Sequence, residues 1–179
     1  PYLPQAIRSG LAQTVTDFEL LIVDDGSTDD TTACVRTFHD ARIRLLGHAE
    51  RLGQTRSLNR GLQEAQGRYL ARLDADDVCL PERLERQMQY LEEHSEVAVV
   101  GTRMVGIDEC GRRVDYFGKP LSDFGTFVGR LLSGVCPIGH PTVMCRRPVI
   151  AQLGGYDECY RIGQDYDLWI RFAMARFRA

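Results

Sequence analysis

No two cysteines in this 179-residue chain stand at C-x-x-C spacing, and no histidine accompanies them at zinc-finger spacing. The six that occur, Cys34, Cys79, Cys110, Cys136, Cys145 and Cys159, are dispersed. A structural zinc site is therefore not expected, and the thiols read as mostly buried groups of a reducing compartment. No apolar run approaches the roughly 18 residues that a membrane-spanning helix needs, and no signal-peptide pattern opens the chain. Internal repeats and low-complexity linkers are missing too. The basic residues are scattered and the formal net charge is −3, which leaves no electrostatic footprint for nucleic acid and no polybasic membrane anchor. What remains, 44% apolar and 26% charged residues, is the composition of a soluble globular domain able to bury a core, and one domain over residues 1–179 is expected. A partner of such a chain is found by a pocket.

Hydrophobic spacing supplies the organisation. Leu3, Ile7 and Leu11 predict an amphipathic helix within residues 3–14. An apolar strand follows from Phe18 to Val23, then a helix capped by Ser27 or Thr28 that puts Thr31, Cys34, Val35 and Phe38 on one face. A second strand is expected over 42–47, and a helix over 53–67 with Leu58, Leu62 and Ala65 inward and Gly67 as terminator. A third strand over 68–73 leads through a loop to a helix with Pro81 in its first turn and Leu84, Met88 and Leu91 inward; a fourth covers 96–102. This alternation predicts an α/β fold around a mostly parallel sheet. Beyond residue 103 the stretch through 128 suits a hairpin and loops, Thr142 to Cys145 a short strand, and the last segment a helix with Asp165 and Asp167 in its first turn and Leu168 and Phe172 inward.

Two carboxylate clusters sit at carboxyl ends of apolar strands, where ligands bind in such sheets. In VDDGSTDD two readings stay open. One is an Asx turn with a helix cap; the other is a fixed carboxylate, Asp25, accepting hydrogen bonds from a base or ribose. An EF-hand would need Asp where Leu21 stands, and no dinucleotide fingerprint follows the strand. In LDADDV, Asp74, Asp76 and Asp77 repel one another unless a cation, donors or open water relieves them. A solvated loop is one reading. The other is a Mg²⁺ or Mn²⁺ site completed by a substrate diphosphate. Val78 stands where a D-x-D phosphatase would want Thr. His140 reads as a half-buried histidine or a site residue. Asp165 reads as a helix N-terminal acid stabilised by the dipole, or as a general base at a pocket mouth.

In sequence order, AIRSGLAQT, DFELLIVDDGSTDDT, RLGQTRSLNRGLQEAQGRYLARLDADDVCLPERLERQMQYL, AVVGT, GHPTVMCRR and GGYDE before QDYDLWIRF resemble the family 2 glycosyltransferases of the GT-A fold over nearly the whole chain. The resemblance implies metal-dependent transfer of a sugar from a nucleotide-diphosphate donor to an acceptor hydroxyl, with inversion. It implies Asp25, with Asp24 beside it, at the nucleotide base; Asp74 and Asp76 as the D-x-D pair, Asp76 being the direct Mn²⁺ or Mg²⁺ ligand; His140 near the donor phosphates and acceptor; and Asp165 as catalytic base. Gln164 stands where the family usually has Glu. The family's first strand precedes PYLPQAI and members continue past QDYDLW, so a fragment truncated at both ends is expected, with the gap filled by further residues or a neighbouring chain in a homo-oligomer. Polysaccharide synthesis in the cytoplasm is the implied setting, on a saccharide or a lipid-linked acceptor at the inner face of the cytoplasmic membrane, with peripheral membrane association. A nucleotide-sugar binding module without turnover is the alternative, motivated by Gln164 and the absent strand.

Overall fold

The computed structural model of the chain describes residues 2–118, 121 and 123–179. Pro1 of the opening segment, and Lys119, Pro120 and Ser122 of the expected loop region, lie outside the described residues.

Helix α1 (Leu3–Leu11) buries Ala6, Ile7, Ser9 and Gly10. Strands β1 (Leu20–Asp24) and β2 (Ile43–Gly47) pair in parallel, Leu20 opposite Ile43 and Asp24 opposite Gly47, joined through α2 (Thr31–Arg36). Neither Ser27 nor Thr28 caps α2; Asp30 occupies that position without a side-chain cap bond. Helix α3 (Gln54–Glu64) stops short of Gly67, because Ala65 turns extended and the Gln66 N–H donates to the Glu19 carboxylate at 2.6 Å.

Strand β3 (Tyr69–Ala71) precedes the carboxylate loop, and α4 (Arg83–Glu93) begins after Pro81 rather than around it. Strand β4 (Val99–Val100) does not pair with β3: β7 (Met144–Arg146) lies between them, antiparallel to both. Thus β3 and β4 point the same way, and the α/β architecture expected from the alternation is present. The predicted hairpin is β5 (Met104–Ile107) with β6 (Arg113–Phe117). Two short helices stand where loops were expected, or where no element was: α5 (Phe124–Leu132), capped by the Asp123 carboxylate accepting from Thr126 N–H, and α6 (Arg147–Gln152), with Pro148 in its first turn. Helix α7 (Gln164–Met174) closes the fold.

The main core joins Val99, Phe127, Leu168, Trp169 and Phe172, all fully buried, with Leu58 and Leu62 of α3 packed against them. Each such apolar side chain contributes about 1.5–3 kcal/mol on burial. Leu91, Val97 and Met144 form a second cluster with Leu84 and Met88 of α4. The ring of Trp169 meets Phe172 and His140 edge-on. Core packing therefore fixes both the start of α7 and the turn carrying His140.

Candidate active site

Asp24 ends β1 and acts locally. Its Oδ1 accepts from Ser27 N–H at 3.2 Å, the expected turn, and its Oδ2 from the Thr32 hydroxyl at 3.2 Å, which ties the turn to α2 without capping it. Asp25 reaches further. Its Oδ1 accepts from Leu52 N–H (2.9 Å), Gly53 N–H (3.1 Å) and the Ser57 hydroxyl (3.0 Å), and its Oδ2 from Gly53 N–H (3.0 Å). Against some desolvation, these donors hold the carboxyl below its ordinary range. Asp25 thus clamps the loop before α3 to the end of β1, and the exposed Arg51 guanidinium stands 3.9 Å from its Oδ2.

In the loop after β3, Asp74 is half-buried, Asp76 exposed and Asp77 half-buried. Burial first, then the charges of Asp74 and Asp76, push the Asp77 carboxyl above its ordinary range. Negative charge is therefore concentrated here, and one cation already answers it: Arg72 Nη2 donates to Asp74 Oδ1. No group of three His, Cys, Asp or Glu side chains that could hold a metal occurs among the described residues. The loop's oxygens suit a hard divalent cation, and this donor set would need completing by a ligand.

A cleft of about 290 Å³ lies beside this loop. It brings together Asp74, His140 and Asp165, three of the six residues singled out in the sequence; Arg72, Arg161 and Gln164 also line it. Asp76, Asp24 and Asp25 are outside its lining. Asp165 sits half-buried in the first turn of α7, behind Gly163, whose φ of 79° turns the chain into the helix. There the helix dipole favours the carboxylate. Gln164 is buried; its Nε2 donates to Gln54 Oε1 at 3.0 Å and its own Oε1 has no partner among the described residues. His140 is only 8% exposed, and its Nε2 shares a 2.7 Å hydrogen bond with the Tyr156 hydroxyl. Burial, reinforced by the Arg72 charge, drops its pKa to about 3, so the ring is neutral.

Sequence reasoning passed over two neighbours. Cys136 Sγ lies 3.8 Å from Asp165 Oδ2, and burial together with the Asp165 charge pushes its thiol up to about 11. It stays protonated beside the carboxylate, and its 29-residue separation gave no signal. Arg72 did leave one: it stands just past the end of β3 and two positions before Asp74, an opposite charge within reach.

The profile of glycosyl transferase family 2 matches residues 1–153. A Bacillus subtilis protein named as glycosyltransferase EpsE is 36% identical over 98% of this chain, a match that continues through Asp165 and spans 63% of that relative. The amylovoran biosynthesis glycosyltransferase AmsE of Erwinia amylovora is 31% identical over 94% of the chain and 63% of its own length. The chain thus spans less than two thirds of either relative. Among solved structures, S. aureus TarS with UDP superposes with a TM-score of 0.76 at 21% identity, covering 98% of this chain and 51% of that one. A mannosyltransferase of Pyrobaculum calidifontis, solved with GDP-Man and Mn²⁺, gives 0.69 at 19% identity over 99% and 48%.

Proposed function

The chain belongs to glycosyl transferase family 2 and has its GT-A fold, and on that premise we propose that residues 1–179 form one domain that moves a sugar from a nucleotide diphosphate to an acceptor hydroxyl with inversion. The observation that carries the reading is the cleft itself, which opens onto a loop carboxylate, Asp74, and a helix-terminal carboxylate, Asp165. Asp74 and Asp76 would hold Mn²⁺ or Mg²⁺, beside Asp77, whose carboxyl is pushed above its ordinary range by burial and by their charges. When bound, such an ion supplies Lewis-acid neutralisation of charge on the departing diphosphate.

The residues of the chain divide the remaining work. Asp165 takes the acceptor proton, a contribution of about 10²–10⁴ in rate for a positioned base. The protonated Cys136 thiol beside it offers a weak donor and no competing charge. His140, neutral and tied to Tyr156, shapes the cleft wall facing the donor phosphates and acceptor. Asp25 serves the nucleotide end by holding the 51–53 loop in place, with Asp24 fixing the turn beneath it.

A nucleotide-sugar donor is supported by TarS, which was solved with UDP-GlcNAc, and by the GDP-Man complex of the Pyrobaculum enzyme. A saccharide acceptor is supported by the name of AmsE. No helix among the described residues is long and apolar enough to cross a membrane. All six cysteines are free, but only Cys145 is buried, against the expectation of mostly buried thiols; free thiols suit a cytoplasmic setting, and a lipid-linked acceptor would be met there by peripheral association.

Thermal unfolding with UDP, GDP and dTDP, each with and without Mn²⁺, tests the donor site. At a nucleotide concentration about 100 times its dissociation constant, one of them stabilises the protein by about 2.7 kcal/mol. That gain requires Mn²⁺ and disappears in Asp76→Asn. Stabilisation by none, in the full-length protein, contradicts the reading.

A further inference from the structure

Arg72 pairs with Asp74 of the carboxylate loop, and its backbone is held in place. Its N–H donates to Val143 O at 3.0 Å and its carbonyl accepts from Arg83 Nη2 at 2.7 Å, so the chain delivers the side chain to one wall of the cleft. The side chain is 13% exposed. One nitrogen, Nη2, pairs with Asp74 Oδ1; Nε and Nη1 are buried and have no hydrogen-bond partner among the described residues. A guanidinium is a planar fork matched to two-point recognition of carboxylate or phosphate. Here one of its three nitrogens is used. Burying charged donors without acceptors is costly, and an acceptor entering the cleft that Arg72 lines would relieve it.

Arg161, Ile162 and Gly163 line the cleft as well. Ile162 is 90% exposed, Arg161 adds a second positive charge, and Gly163 holds a left-handed turn. Two arginines, Arg72 and Arg161, thus line the cleft that Asp74 and Asp165 share.

We propose that Arg72 is a phosphate-binding residue held in reserve by Asp74: when donor and divalent cation enter, Asp74 exchanges its arginine for the cation, and Arg72 exchanges its carboxylate for oxygens of the diphosphate. The exchange rests on the reading of this cleft as the donor site. It makes anion and cation binding mutually dependent, since each frees the partner that the other requires.

The test is calorimetry on the full-length protein with two probes, Mn²⁺ alone and Mn²⁺ with inorganic pyrophosphate. Arg72→Met lowers affinity for the pyrophosphate complex about 10- to 100-fold, the range for lost hydrogen bonds to a charged group, while Mn²⁺ alone binds more tightly because Asp74 is released. Arg72→Lys, which keeps charge but not the fork, falls between, and it carries the test if Arg72→Met does not fold. In an Asp74→Asn background Arg72→Met still weakens the pyrophosphate complex. A loss that vanishes in that background, unchanged affinity in a folded Arg72→Met, or no pyrophosphate binding by the parent protein overturns the proposal. Arg72-dependent pyrophosphate binding without binding of any nucleotide diphosphate would keep the residue's role and remove the donor-site reading instead.

Discussion

Replacing Asp25 should damage the fold more than its place at a strand end suggests. The carboxylate accepts from two loop N–H groups and one hydroxyl, all contributed by residues 27 to 32 positions away. Hydrogen bonds to a charged acceptor contribute about 1.5–3 kcal/mol each, but the side chain is 25% exposed and water recovers part of the loss. Asp25→Ala is therefore expected to cost about 2–4 kcal/mol for the set. Asp25→Asn, whose amide nitrogen would face Gly53 N–H, should cost about half as much, roughly 1–2 kcal/mol. In urea unfolding both appear as a lower midpoint at unchanged slope. The pH dependence follows from the sign of the shift. The folded pKa is depressed below the ordinary 3.8, so this stabilisation is complete above that value and is lost as pH falls through the folded pKa. Asp25→Asn should flatten the stability curve there and leave neutral-pH slopes alone. A folded Asp25→Ala within 0.5 kcal/mol of the parent (about the scatter of an ordinary surface substitution) would refute the clamp.

Four further outcomes are expected. Asp165→Asn lowers transfer by about 10²–10⁴ with nucleotide binding retained, measured as rate against melting-point shift. His140, with a pKa near 3, shows no protonation by NMR between pH 5 and 8; as pH falls from 6.5 the unfolded chain takes up a proton that the folded chain refuses, so this residue's contribution to stability declines toward pH 3. Gly26→Ala costs about 2–4 kcal/mol in chemical unfolding, because φ is +70° and the new Cβ would lie 2.6 Å from the Glu50 carbonyl carbon. Phe172→Ala, emptying a fully buried site, costs about 3–5 kcal/mol by the same measure.

Periodicity located α3, α4 and α7 because each buries one stripe of a long helix, and the pattern survives without knowledge of what it packs on. It missed α5, whose nine residues include Gly125 and Gly129 and read as loop, yet burial of Phe127 and Leu131 and the Asp123 cap sustain a helix there. The placement of β7 between β3 and β4 was equally hidden, since strand order depends on partners 75 and 46 residues apart. At the site, the sequence marked carboxylates but not their companions. Asp25's donors, the thiol beside Asp165 and the hydroxyl on His140 are tertiary neighbours, and a side chain's charge environment is written only where the chain comes back to it.

The most direct measurement is release of nucleoside diphosphate from a panel of UDP-, GDP- and dTDP-sugars by the full-length protein, set beside Asp165→Asn and Asp76→Asn. The account predicts release from one donor class, faster with a saccharide acceptor, collapsing in Asp165→Asn although that variant still binds the donor, and lost with metal response in Asp76→Asn. Donor binding without release by the parent protein, or release by Asp165→Asn at the parent rate, would contradict it.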